Sequence, residues 1–209
     1  MSEELVQLVD RQGSPAGAAP RSECHGNPRL IHAVVHLLLV DEAGRLYLQK
    51  RARGKDIYPG RWDTGVGGHL APGETPEQAV RREAREELGI ELGKPGAAGE
   101  HGAAGEHAGL ERLPSYIYSD ETETEYVFPF KAGFSGALRP NPEEIEEGAF
   151  FTLARIHRWL KDRPEDFTPH FRQGFRRLVQ VSGRAGSAAS DETPRRQSRL
   201  RHQPRNLKE

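Results

Sequence analysis

Cysteine is almost missing from this 209-residue chain: Cys24 is the only one. A single cysteine excludes an intrachain disulfide framework and any zinc site built from several thiolates. Long apolar runs are missing too. The longest, Leu30 to Val40, spans 11 residues and is interrupted by His32 and His36. A helix needs about 20 apolar residues to cross a bilayer, so no membrane partner is expected. Excess charge of either sign is also missing, with 30 Lys+Arg against 31 Asp+Glu and a net charge of −1. Such a balance does not suit a chain that binds nucleic acid along its whole length. The acidic start, Met1 to Glu4, lacks the basic-then-apolar pattern of a secretory leader. The expected setting is cytoplasmic. What is present is ordinary for a globular domain: 35% of residues are hydrophobic.

Composition varies along the chain. Residues 183–209 carry seven Arg or Lys and three acids, a local charge of +4 that leaves −5 for residues 1–182. The segment is rich in Ser, Gly, Ala and Arg and reads as a disordered basic tail, the one place where nucleic acid or an acidic partner would be met. Residues 96–101, Gly-Ala-Ala-Gly-Glu-His, recur at 102–107. A duplication of small residues predicts a surface loop over about 94–110. The remaining 1–182 reads as one domain.

Within that domain, Leu5–Asp10, Ile31–Val40, Leu46–Lys50, Ser115–Ser119 and Tyr126–Gly133 read as strands. The residues Thr152–Lys161 and Thr168–Val181 read as helices, the second opening on a Thr-Pro cap. This mixture predicts an α/β or α+β sandwich. Trp62 is expected in the core. Glu143, Glu144, Glu146 and Glu147 read as a solvated acidic turn.

One helix carries chemistry. Thr75 is its expected N-cap, Pro76 its first residue and Gln78 the partner in a capping box. The apolar residues Val80, Ala84 and Leu88 recur every four positions, and Gly89 ends the helix. Glu83, Glu86 and Glu87 then crowd one face at i, i+3 and i+4. By composition alone this is a solvated face. Three adjacent carboxylates also make a hard oxygen set suited to Mg²⁺ or Mn²⁺. The glycine-rich approach, with Gly65, Gly67, Gly68 and Gly73, allows close packing or close approach to a phosphate. Lys50, Arg51 and Lys55 form a basic cluster that could bind the phosphates of a substrate.

From Gly68 to Ile90 the chain reads Gly68, five residues, Glu74, seven residues, Arg82-Glu83, two residues, Glu86-Glu87, one residue, Gly89-Ile90. This resembles the Nudix box, G-x5-E-x7-R-E-U-x-E-E-x-G-U, with only Ala84 small for its hydrophobic position. The resemblance implies a Nudix-type α/β/α sandwich with a mixed sheet and a loop-helix-loop motif. It implies Mg²⁺-dependent cleavage of a diphosphate, with Mn²⁺ as a substitute. Glu83, Glu86 and Glu87 would be metal ligands, Glu86 or Glu87 the water-activating base, and Arg82 the group that holds them. Glu74 would support the motif, and Gly68 and Gly89 would shape its ends.

The likeness extends further. Arg29–His32, Leu48–Arg51, Lys55–Asp63, Val66–His69 and Glu123–Glu125 resemble the Nudix branch of type 1 isopentenyl-diphosphate isomerases and their hydrolase-like relatives. In those isomerases three histidines and two glutamates build a metal site, and the matching positions here are His25, His32, His69, Glu123 and Glu125. Imidazole with carboxylate suits Mn²⁺, Zn²⁺ or Fe²⁺. The departure is at Gly67, where the isomerases carry a cysteine that moves a proton. General acid–base groups contribute a factor of about 10²–10⁴, so its loss favours hydrolysis. The expected activity is that of a hydrolase acting on a diphosphate linkage in a nucleoside diphosphate derivative or similar small molecule. An isopentenyl-diphosphate isomerase-like enzyme and a non-catalytic nucleotide-binding module are the rivals.

Overall fold

The computed structural model describes residues 3–93 and 109–177. The duplicated hexapeptide and the basic tail lie outside these residues, as does the expected boundary at 182/183. By internal contacts the chain divides into two units, Met1–Gly174 and Phe175–Glu209, and the fold and site described below belong to the first.

Among the described residues, ten strands form one mixed sheet. They are β1 (Leu5–Val9), β2 (Pro15–Pro20), β3 (Ile31–Val40), β4 (Leu46–Arg51), β5 (Trp62–Asp63), β6 (Val66–His69), β7 (Glu111–Arg112), β8 (Tyr116–Ser119), β9 (Thr124–Gly133) and β10 (Ile145–Phe151). The helices of this unit are α1 (Arg21–Cys24), α2 (Pro76–Leu88), α3 (Leu153–Asp162) and a last helical segment, α4, over 169–174. The expected α/β class therefore holds. Among the described residues no helix is long and apolar enough to cross a membrane.

The spine is β3, which pairs with β1, β4 and β6 antiparallel and with β9 parallel. Side chains alternate across a strand, so β3 has two distinct faces. Ala33, Val35, Leu37 and Leu39 are fully buried and pack in the main core with Phe128, Phe130 and the apolar stripe of α2: Ala79, Val80, Ala84 and Leu88. The other face carries His32, Val34 and His36. This is why a continuous apolar run contains two histidines.

The α2 boundaries match their sequence signals. Thr75 accepts from the Gln78 amide and Gln78 returns a bond to the Thr75 backbone, completing the capping box. Gly89 ends the helix at φ 64°, a left-handed conformation that favours glycine.

Several short strands gave no sequence signal. The Gly67-Gly68 stretch, expected as loop, is strand β6, held against β3 by the pairs Val34–His69 and His36–Gly67. The acidic run is no simple turn either: Glu146 and Glu147 lie on β10, paired with β4. There Glu146 meets Lys50 at 3.2 Å and Arg53 at 3.2 Å. Opposite charges across two strands explain the acidic pattern better than solvation does. Trp62 is buried as expected, edge-on to Phe151 and Trp159.

Candidate functional site

The strand registers gather the distant histidines and glutamates. The parallel β3–β9 pairing sets His32 opposite Glu125, and the β3–β6 pairing sets Val34 opposite His69. His25 follows α1, a short helix anchored by buried Cys24 against Val6 and Ala19. The three imidazole rings lie with centroids 5.2 to 5.4 Å apart. Glu123 Oε2 approaches His25 Nε2 at 3.5 Å and His32 Nε2 at 3.9 Å. Asp120 sets the turn before β9: its Oδ1 accepts from the backbone amides of Thr122 and Glu123, and its Oδ2 from the Tyr118 hydroxyl.

This cluster has more ligand atoms than internal partners. His25, His32 and His69 form one convergent set, and His32, Glu123 and Glu125 another, each with ligand atoms within 4.8 Å of one another. His32 and Glu123 are at most 2% exposed. Both ring nitrogens of His32, Nδ1 of His25, and Oε2 of Glu123 and of Glu125 are buried without a hydrogen-bond partner among the described residues. Buried polar atoms left unpaired are costly. Imidazoles and carboxylates that converge with buried atoms left unpaired fit a divalent metal.

The electrostatics agree. Burial pushes the His32 ring down to about 4, so it is neutral, the form that binds metal. Burial, with the neighbouring His32 and His25, holds His69 well below its ordinary value. Burial raises Glu125 to about 7 despite the nearby His170. Burial alone would raise Glu123, but His170, His25 and His32 bring it below its usual range.

The box glutamates of α2 are arranged differently. Arg82 grips Glu74 with two hydrogen bonds of 2.9 Å, from Nε and Nη2. Its Nη2 also donates to the His69 carbonyl at 2.9 Å, tying α2 to β6. Its Nη1 bonds to both Glu83 at 2.8 Å and Glu86 at 3.2 Å. The hydrogen bond with Glu74, ahead of the opposing burial, raises the Arg82 proton affinity. Glu86 is half-exposed, while Glu87 is buried and accepts from Gln49 Nε2 at 2.9 Å. Burial raises the Glu83 carboxyl to about 7 against the pull of Arg82, and burial beside Glu83 also raises the Glu87 carboxyl well above its ordinary value. The three carboxylates are thus spread from surface to core, with Arg82 between the outer two. Gly68 is the point of contact with the sheet: a Cβ there would collide with the Glu83 side chain.

A cleft opens beside the histidines and is lined by Arg21, His36, Arg51, Tyr58, Gly67 and Gly68 among others. Of the three basic candidates only Arg51 lines it. Lys50 is paired with Glu146, and Lys55 with Glu144. Position 67 has room: a Cβ there would meet nothing closer than 3.5 Å, the His36 ring. Tyr58 holds a positive φ of 50° at the rim, strain of a kind that collects at functional sites. Sequence reasoning missed Arg21, His36, Tyr58 and His170. Two left a trace: His36 interrupts the apolar run Leu30 to Val40, and His170 follows the Thr168-Pro169 helix start.

Known proteins resemble the chain in sequence and in fold. The chain is 32% identical over 180 residues to an isopentenyl-diphosphate Delta-isomerase of Brevibacterium linens, covering 84% of this chain and 91% of that one. The crystal structure of DR0079 from Deinococcus radiodurans superposes with a TM-score of 0.57 at 27% identity, covering 74% of this chain and 90% of that one. A MutT NUDIX hydrolase from Burkholderia pseudomallei superposes with a TM-score of 0.51 at 25% identity, covering 70% and 96%. Residues 30–171, more than half of the chain, match the NUDIX domain family, and the chain belongs to that family.

Proposed function

We propose that the chain is a divalent-metal-dependent hydrolase that cleaves a diphosphate linkage in a nucleoside diphosphate derivative or a similar small molecule. The observation that carries this reading is a complete box beside a glycine at position 67. The side chain that the isomerases use for proton transfer has no equivalent there, while the Arg82 network around Glu74, Glu83 and Glu86 is fully formed.

Glu83, Glu86 and Glu87 would hold Mg²⁺, with Mn²⁺ as a substitute. The ion when bound supplies charge neutralisation at the diphosphate oxygens and acidifies a water. Glu86 or Glu87 would accept the proton of the attacking water. A carboxyl raised to about 7, like Glu83, is suited to proton transfer near neutral pH. Arg82 keeps the carboxylates oriented. Arg51 and Arg21 at the cleft would face the negative charge of the substrate. His25, His32, His69, Glu123 and Glu125 would hold a second divalent ion.

The test is a panel of nucleoside diphosphate derivatives and isoprenoid diphosphates, assayed for phosphate products with Mg²⁺ and with Mn²⁺. Metal-dependent release of a monophosphate product supports hydrolysis. Tight binding with no cleavage supports a nucleotide-binding module instead.

A second reading has its own observation: the convergent His/Glu cluster, together with relatives named as isomerases. On this reading the enzyme moves a proton on isopentenyl diphosphate. Deuterium uptake from D₂O into that compound decides it, and absence of uptake removes it.

A further inference from the structure

His170 is the one cluster member with no place in the expected ligand set. It sits in the first turn of α4, where Thr168 caps the helix by accepting from the Phe171 amide at 3.1 Å. The Thr168 amide in turn donates to the Trp62 carbonyl at 2.9 Å, which pins this turn to β5. The ring of His170 packs against Tyr118 with centroids 4.0 Å apart and meets Tyr58 edge-on at 5.6 Å. It is 8% exposed. Its position is thus set by packing on two sides and by a capped helix start.

Its Nε2 points between the two glutamates, 3.2 Å from Glu123 Oε1 and 3.5 Å from Glu125 Oε1. These are ion-pair approaches: His170 Nε2, like Oε2 of both glutamates, is buried with no hydrogen-bond partner among the described residues. Oε2 of Glu123 is also the oxygen that approaches His25 and His32. Glu123 is therefore divided, with its outer oxygen, Oε1, toward His170 and its inner oxygen, Oε2, toward the histidines, and Glu125 likewise turns its outer oxygen, Oε1, to His170. His170 belongs to neither convergent ligand set.

We infer that His170 is a positioning residue that holds Glu123 and Glu125 by their outer oxygens and so aims their inner oxygens at the His25–His32–His69 centre. This rests on reading that cluster as a metal site. Groups behind metal ligands fix ligand orientation, and their loss lowers metal affinity about 10–100-fold.

The test titrates Co²⁺ into the full-length protein, following its visible absorption and the heat of binding, with thermal melts of the metal-free forms as a check on folding. His170→Phe is expected to lose about 10–100-fold in affinity. His170→Gln, whose amide reaches a similar point, is expected to recover most of it. At saturation both variants should keep the band positions of the parent, because no ligand is removed. Unchanged affinity in His170→Phe overturns the proposal. Shifted bands in His170→Gln at saturation also overturn it, by making His170 a ligand itself. If the parent shows no Co²⁺ bands that His32→Ala abolishes, the metal reading falls and the proposal with it, an outcome distinct from the other two. Should His170→Phe not fold, His170→Gln is compared with the shorter His170→Asn. Retention by Gln with loss by Asn supports the role, and equal affinity overturns it.

Discussion

The α2 glutamates and the His/Glu cluster are both rich in metal-binding side chains, yet they are built on opposite principles. In α2 the spacing is helical and local, and a structural cation, Arg82, already bonds to Glu74, Glu83 and Glu86. In the cluster the residues come from α1's end, β3, β6, β9 and α4, and ligand atoms remain buried without partners among the described residues. The lesson is that carboxylate density alone does not make a convergent site. Arg82 lowers the cost of gathering three acids on one helix, whereas the cluster leaves its nitrogens and oxygens converging on one another. The two regions meet at β6: Gly68 contacts Glu83, and the next residue, His69, gives its ring to the cluster and its carbonyl to Arg82.

The largest expected effect separates the two regions by activity. Glu86→Gln or Glu87→Gln should lower the rate of diphosphate hydrolysis by a factor of about 10²–10⁴. Initial rates with Mg²⁺ and a circular dichroism check of the fold measure this. A full rate in both variants would move the chemistry away from α2.

Next comes the junction. Gly68→Ala forces a methyl group against Glu83 and should cost about 1–3 kcal/mol of stability, read from chemical denaturation. Its rate should fall as well, because Glu83 must move. An unperturbed melt with normal turnover would show that β6 and α2 are not coupled there.

A pH series sharpens the contrast in burial. His32 has its folded-state value pushed down to about 4 by burial. Its ordinary value is near 6.5, so below that pH the unfolded chain takes up a proton that the folded chain resists. The metal-free protein should therefore lose stability as pH falls from about 6.5 towards 4. In His32→Gln that part of the slope should flatten. Denaturation midpoints at several pH values check this.

The smallest structural effect is expected at Gly67→Cys, because the nearest atom to the new Cβ is 3.5 Å away. Its melting temperature should stay within a few degrees of the parent. If the cluster is otherwise competent for proton transfer, this variant takes up deuterium into isopentenyl diphosphate from D₂O. A folded, metal-loaded variant with no uptake would show that more than the thiol separates this chain from the isomerases.

The reading of α2 from sequence was accurate because everything that defines it is local. Its cap, its apolar stripe, its end at Gly89 and the crowding of Glu83, Glu86 and Glu87 all follow from spacing within one helix. The strands β5, β6 and β7 were not legible, since two to four residues carry no periodicity. The segment over 145–151 was read by its charge rather than its pairing: only the partner strand β4, with Lys50, turns an acidic run into a ladder.

The sequence by itself determined the family motif, the α/β class, the capped glutamate-rich helix and the glycine at position 67. These depend on residue identity and short-range spacing. Tertiary structure alone decided that the cleft opens beside the histidines, that Arg21 and Arg51 line it, paired with Asp56 and Asp63, while Lys50 and Lys55 pair with Glu146 and Glu144 away from it, and that His170 stands behind Glu123 and Glu125. The parallel register of β3 on β9 and the antiparallel register of β3 on β6 bring positions 32, 69 and 125 onto one face. Register is set by long-range pairing and burial, and no pattern within a single strand specifies it.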